Sequence, residues 1–337
     1  NIMKNTLIVL ITLLSLCNNQ LIVTKSILTY RLNCGRLGDC IQTYLKAKWL
    51  AHKTGLELYY KPFKHSSCFA LSTLETPFNN VLAKQYASVV NVKSINDILK
   101  HTNQSKILLS EFYTLTPDLY TESIQDPDFG KKIQEALQPA VPLQKYFLPD
   151  NVITVAVHIR KSNEPSCPKN MVELYDSSEL NIPLTPPAMK RLALLFIPTQ
   201  YYIDQILLLS DLLGNPDMYV ALFTDCEEPV RLFEYIKTAV SFRKNISYAP
   251  IDPRVNALSS VADTIFAMAQ CQCLIRSRSH FAWTSQMIGK HSIIIHPKHS
   301  IDIDNKRVVD VVGIILRKDN DLKNISIDIR TQQKDML

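Results

Sequence analysis

The chain has 337 residues, 46% of them hydrophobic and 20% charged, with a formal net charge of +6. That balance excludes an intrinsically disordered chain, and the length exceeds what one hydrophobic core usually serves, so two domains are expected. The mild positive charge favours anionic ligands, but no dense Lys/Arg block marks a nucleic-acid groove, so nucleic acid is not an expected partner.

The first feature along the chain is Met3-Lys4 followed by an apolar stretch from Leu7 to Leu16, broken only by Thr12 and Ser15. A basic start before a short apolar core reads as a signal peptide over residues 1–25, too short for a membrane span. Export into a secretory compartment follows from it, with no stable membrane span after its removal. The same run also fits a buried first strand of a cytoplasmic protein.

Ser26 to Leu32 alternates like a strand. The loop Gly35-Arg36-Leu37-Gly38-Asp39 follows, then a helix to about Leu50 and a second strand at Leu56–Tyr60. Strand, loop, helix and strand make a βαβ unit, the building block of a parallel sheet. Only seven glycines occur in the chain, and two of them stand three apart in this loop. Backbone amides there can approach an anion or a sugar, although a tight turn explains the same residues. Further strands are expected at Ala87–Val92 and Lys106–Leu109.

Pro139, Pro142 and Pro149 punctuate the approach to Val152–Val157, a strongly β-branched run. A boundary near 140–150 follows, separating domains 26–145 and 146–330. Pro165 to Pro187 has little periodicity and reads as a long loop. Strands and helices then alternate. Helix Tyr201–Leu213 stops at Gly214-Asn215-Pro216, and strand Met218–Phe223 leads to Thr224-Asp225. A helix from Glu228 to Val240, strand Ile246–Ala249 and helix Ser259–Gln270 come next. Strand Cys273–Arg276, helix Phe281–Ile288 and strand Ser292–His296 close the series. Two Rossmann-like α/β halves are the economical architecture.

The eight cysteines contain no C-x-x-C pair, so no zinc site and no other metal site is expected, and buried free thiols are the preferred reading. Asn103, Asn245 and Asn324 open glycosylation sequons, which matter only in a glycosylating pathway. Asp302 and Asp304 form a D-x-D that reads as a charged turn.

Three segments carry candidate chemistry. In Val157-His158-Ile159-Arg160-Lys161, His158 and Arg160 share one face, with Arg160 where the strand meets its loop. Ligands of open α/β sheets collect at strand carboxyl ends, and a guanidinium there grips a diphosphate bidentately. A lone strand-closing arginine is more often a surface or salt-bridged residue. The second segment is the glycine loop. The third runs from Asp263 through Ser277, Ser279 and Phe281 to Trp283, where serine hydroxyls and helix amides at a strand-to-helix turn can bind phosphate oxygens. Ser279 fits equally as a helix N-cap.

The ordered series of these motifs resembles the α-1,2-fucosyltransferase family and the wider fucosyltransferase-like superfamily. Its members read approximately G-G-L-G-N-Q, H-I-R-R-G-D and S-N-S-T-F-S-W-W, and the resemblance covers residues 28–297. It implies a GT-B-like fold, two Rossmann-like domains with a cleft between them, the first acceptor-side and the second binding the nucleotide sugar. It implies GDP-fucose as donor, a glycan or glycoprotein as acceptor, and inverting transfer with no required cofactor or metal. By the same resemblance His158 and Arg160 match the H-x-R whose arginine contacts the diphosphate and assists its departure. Lys161 keeps the next charge, and Asp263 matches an acidic helix position near the nucleotide. Ser277, Ser279 and Phe281 match the late serine motif, and Gly35 and Gly38 the first loop.

The departures are equally specific. Asn163 stands where the family has aspartate, and an amide cannot take a proton as a carboxylate does. Arg278 and Thr284 also differ from the late motif. No general base is identified; Glu164 and Asp39 are the nearby carboxylates. A non-catalytic sugar-nucleotide or glycan-binding relative, or a transferase using another nucleotide sugar, stands beside the main reading.

Overall fold

The computed structural model describes residues 25–32, 36–86, 88–110, 119–141, 148–160, 197–226, 228–250, 261–303, 306–318 and 321–328. The leader expected over 1–25 therefore lies outside the described residues except for Lys25, and the loop 165–187 lies wholly outside them. The chain forms two compact units that interleave along the sequence. Among the described residues the first takes 25–32, 43–63, 75–86, 88–110 and 119, and the second takes 36–42, 64–74 and those from 120 onward.

The first unit is built on strands β1 (Ile27–Tyr30), β2 (Tyr59–Tyr60), β3 (Thr76–Pro77), β4 (Ser88–Val92) and β5 (Lys106–Ser110). Three of them form a parallel sheet in the order β1-β5-β4, and β2 pairs with β3. Every residue of β1 is buried, the mark of a strand covered on both faces, whereas edge strand β4 exposes Val89. Helix Leu37–Thr54 contributes Tyr44, Ala47 and Ala51 to this core, a helical spacing that keeps them on one face. The Tyr44 hydroxyl donates to Glu75 Oε1 over 2.7 Å, and Lys48 pairs with the same carboxylate, so a buried acid is neutralised where it stands.

The second unit carries β6 (Ile153–Ile159), β7 (Met218–Thr224), β8 (Ile246–Pro250), β9 (Cys273–Arg276), β10 (Ile293–Ile303), β11 (Lys306–Lys318) and β12 (Asp321–Asp328). They form one seven-stranded sheet in the order β12-β11-β10-β9-β6-β7-β8. The run from β10 to β8 is parallel, and β11 and β12 extend it antiparallel. Val155, Val157 and Ile159 of β6 pack with Tyr202, Ile206 and Leu209 of helix Thr199–Leu212 and with Leu232 and Ile236 of helix Pro229–Ala239. Each such fully buried side chain is worth roughly 1.5–3 kcal/mol, so this continuous layer holds the unit together.

Most expected elements occur near their predicted positions, and Cys273–Arg276 agrees at both ends. Helix Thr199–Leu212 stops where the chain turns left-handed, at Gly214 with φ +77° and Asn215 with φ 58°. Glycine takes that conformation at little steric cost. Two differences stand out. The strand expected at Ser292–His296 continues as β10 to Ile303, and β11 and β12 were not anticipated. Irregular register between Pro297 and Ile301 breaks the period-two alternation by which a strand is read. Asp302 lies in β10 opposite Arg307, and Asp304 is outside the described residues.

The five described cysteines are free thiols, four of them buried. Burial pushes the Cys271 and Cys273 thiols up to about 12, which makes both inert at neutral pH. Among the described residues no helix is long and apolar enough to cross a membrane.

Candidate functional site

The sheet register of the second unit brings its polar residues together. Strand β6 lies between β9 and β7, with His158 opposite Arg276 and Ile159 opposite Thr224. The residues just past these parallel strands, Arg160, Asp225 and Ser277, therefore emerge along one carboxyl edge, the position where open α/β sheets bind ligands. Helix Val261–Ala269, the start of helix His280–Ile288, and Arg36 with the first turn of helix Leu37–Thr54 complete the walls.

A cavity of about 360 Å³ opens there, within the size range of small-molecule sites. Arg36, Asp39, His158, Arg160, Thr224, Asp225, Thr264, Ser279 and His280 supply its polar lining. Leu37, Gly38, Phe223, Val261 and Phe281 supply the rest. All of these residues belong to the second unit.

His158 forms part of the wall but is spoken for. Its Nδ1 shares a 2.9 Å hydrogen bond with Ser277 Oγ, and its carbonyl accepts from the Ser277 amide at 3.1 Å. Burial, opposed by the Asp225 charge and reinforced by Arg160 and Arg276, pulls its pKa to about 4. It is a neutral imidazole at physiological pH, fixing the serine turn. Arg276 sits behind it, also buried, with Nε donating to Gln286 Oε1 over 2.6 Å.

An ion pair and a histidine–carboxylate hydrogen bond occupy the lining. Arg36 Nη1 meets Asp225 Oδ2 at 2.8 Å, and His280 Nδ1 meets Asp39 Oδ1 at 2.6 Å. The His280 hydrogen bond is the chief reason the Asp39 carboxyl titrates below its ordinary value. Burial opposes it, while the Arg36 amide and the Arg160 charge add to it. The second pair depends on Gly38. A Cβ on that residue would lie 2.5 Å from the Phe281 amide nitrogen, so only a glycine lets the turn rest against the start of helix His280–Ile288. Ser279 caps that helix, its side chain accepting from the Phe281 amide at 3.2 Å, and also faces the cavity.

Of the residues singled out in the sequence, His158, Arg160, Gly38, Ser279 and Phe281 meet in this cavity. Ser277 is fully buried one layer behind, holding His158. Asp263 is not part of the lining; its helix reaches the cavity through Val261 and Thr264 instead, since successive helical residues point about 100° apart. Gly35, Lys161, Asn163 and Glu164 lie outside the described residues. Sequence reasoning missed Arg36, Thr264 and His280 as site residues, and it read Asp225 only as a strand end. Arg36 sits inside the glycine loop and His280 inside S-R-S-H-F, so local signals existed without their pairings. The Thr264 Oγ1 is buried against the cavity and makes no hydrogen bond among the described residues. Also among the described residues, no group of three or more His, Cys, Asp or Glu side chains could hold a metal ion.

No protein-family model and no curated protein matches the chain. Solved structures similar to it include NodZ alpha-1,6-fucosyltransferase soaked with GDP-fucose, at 11% identity and a TM-score of 0.37, covering 90% of this chain and 99% of that one. An Arabidopsis thaliana FUT1 mutant in complex with GDP shares 9% identity at a TM-score of 0.45, covering 84% of this chain and 71% of that one. The fucosyltransferase NodZ from Bradyrhizobium shares 10% at 0.37, covering 90% and 98%.

Proposed function

We propose that the chain is a glycosyltransferase that moves a sugar from a nucleotide diphosphate donor to a hydroxyl of a glycan or glycoprotein, with GDP-fucose the donor that the motif series favours. The observation that carries this reading is a single cavity at the carboxyl edge of a parallel sheet holding Arg160 beside the capped start of helix His280–Ile288. A guanidinium and a helix N-terminus attract the same ligand, a multiply charged anion. The Thr264 hydroxyl supports a polar occupant, because it has no partner among the described residues and a buried hydroxyl is unfavourable until something supplies one. In this reading Arg160 neutralises the diphosphate as it departs. The acceptor oxygen attacks the opposite face of the sugar, so the linkage inverts. Residues 26–145 take the acceptor side in the GT-B arrangement that the motif resemblance implies.

The test is calorimetric titration of the protein with GDP-fucose, GDP-mannose, UDP-sugars and ADP-sugars, followed by GDP release with glycan acceptors. Preferred binding of GDP-fucose and acceptor-dependent GDP release support the reading. Failure to bind any nucleotide sugar overturns it. Asn163, standing where the related motif has aspartate, favours one second reading, a donor-binding protein without turnover. Binding without GDP release is its signature.

A further inference from the structure

We infer that His280, held by Asp39, is the general base that takes the proton from the acceptor hydroxyl; the inference rests on the transferase reading above. Transfer to a hydroxyl needs a group that removes its proton, and the carboxylates that the sequence suggested did not include a histidine. The two residues are 241 positions apart, yet His280 Nδ1 lies 2.6 Å from Asp39 Oδ1. A carboxylate accepts only from a protonated Nδ1, so the pair selects the tautomer whose other ring nitrogen, Nε2, carries the lone pair. That is the orientation a base needs, and the same division of labour serves hydrolytic triads.

Three features of the surroundings favour this pair over its neighbours. Gly38 alone permits the close contact that sets Asp39 beside the first residue of the helix. The Arg36 amide donates to Asp39 Oδ2 at 3.3 Å, so the carboxylate is held from two sides. Both side chains keep about 40–50% of their surface open, which leaves room for a bulky acceptor. His158, by contrast, is buried and bonded to Ser277, and Asp225 is bound to Arg36. The charged and titratable groups sharing the lining with His280 are Asp39, Arg36, Arg160, Asp225 and His158.

The step balances without a further reactant. The acceptor oxygen forms a bond to the anomeric carbon as its proton passes to Nε2 of His280. The bond from that carbon to the diphosphate oxygen breaks, and the electron pair leaves with the diphosphate, beside Arg160. The imidazolium that results is stabilised by Asp39.

The test uses the full chain with His280→Gln and Asp39→Asn, measuring donor affinity, acceptor-dependent turnover and its pH profile. His280→Gln is expected to lower turnover about 10²–10⁴-fold and abolish the acid limb of the profile, with donor affinity within threefold of the unaltered protein. Asp39→Asn lowers turnover about tenfold or more, because the imidazolium that forms loses its carboxylate, with donor affinity likewise within threefold. Turnover of His280→Gln within threefold of normal, or an unmoved acid limb in that variant, overturns the inference and leaves the donor reading standing. Equal losses of donor affinity and turnover assign the pair to donor binding and also overturn it. An unaltered chain that binds no nucleotide sugar overturns both readings.

Discussion

Two polar regions of the second unit each enclose a histidine, and they differ in what closes them. In the cavity wall, His158 is hemmed by Arg160, Asp225 and Arg276 and bonded to Ser277. At the far end of helix His280–Ile288, His291 donates from Nδ1 to the Cys271 carbonyl at 2.8 Å and lies where a Cβ on Gly289 would sit. Burial pulls both imidazoles to about 4. The perturbation is the same, yet one histidine faces charges of both signs and an open cavity, whereas the other is bonded to backbone and feels the Arg317 charge alone. A shifted pKa thus marks burial; the company it keeps marks a site.

The largest effect should separate the two regions outright. Arg160→Ala should weaken donor binding or turnover by roughly 2–4 kcal/mol, the scale of losing a charged donor to the departing group. Calorimetry and steady-state rates would show it, and near-normal values would remove Arg160 from the site. The pH dependence of stability treats the regions alike. Each folded histidine titrates near 4 against 6.5 when unfolded, so the unfolded chain binds more protons between those values. Stability should be complete above pH 6.5 and fall as pH drops toward 4, by up to about 1.4 kcal/mol per pH unit for each histidine. Urea midpoints against pH should flatten in His158→Gln and in His291→Gln, but only the first should alter donor affinity.

A smaller effect is expected at the turn. Gly38→Ala should destabilise by about 1–3 kcal/mol in thermal melts, since the added methyl meets helix backbone that cannot move aside. The smallest concerns Thr264. Thr264→Val should leave stability within about 0.5 kcal/mol of normal, because the hydroxyl has no partner to lose among the described residues, while weakening donor binding by about 1 kcal/mol. A stability loss without an affinity change would make the hydroxyl a structural group.

Much of the second unit was legible in the sequence. The β-branched run Val152–Val157 announced a strand, and Gly214-Asn215-Pro216 announced a helix end, because side-chain branching and backbone conformation act through neighbouring residues. Strands β11 and β12 were not legible, since charged residues interleave with their apolar ones, although Asp304-Asn305 and Asp319-Asn320 supply turn residues at their ends. In the site, Arg160 and Ser279 could be read from their places at strand and helix ends. The partners could not. Arg36 finds Asp225 across 189 residues and Asp39 finds His280 across 241.

Alone, the order of residues determined the parallel strands, their helices and the chemical character of each strand end, because these follow from local periodicity, capping and side-chain type. Only the tertiary structure decided which strand ends meet, that Gly38 rests against a helix start, and that a histidine in an unremarked position faces an aspartate. Those outcomes depend on packing between distant segments, and nothing in the spacing of residues along one chain encodes a distance across it.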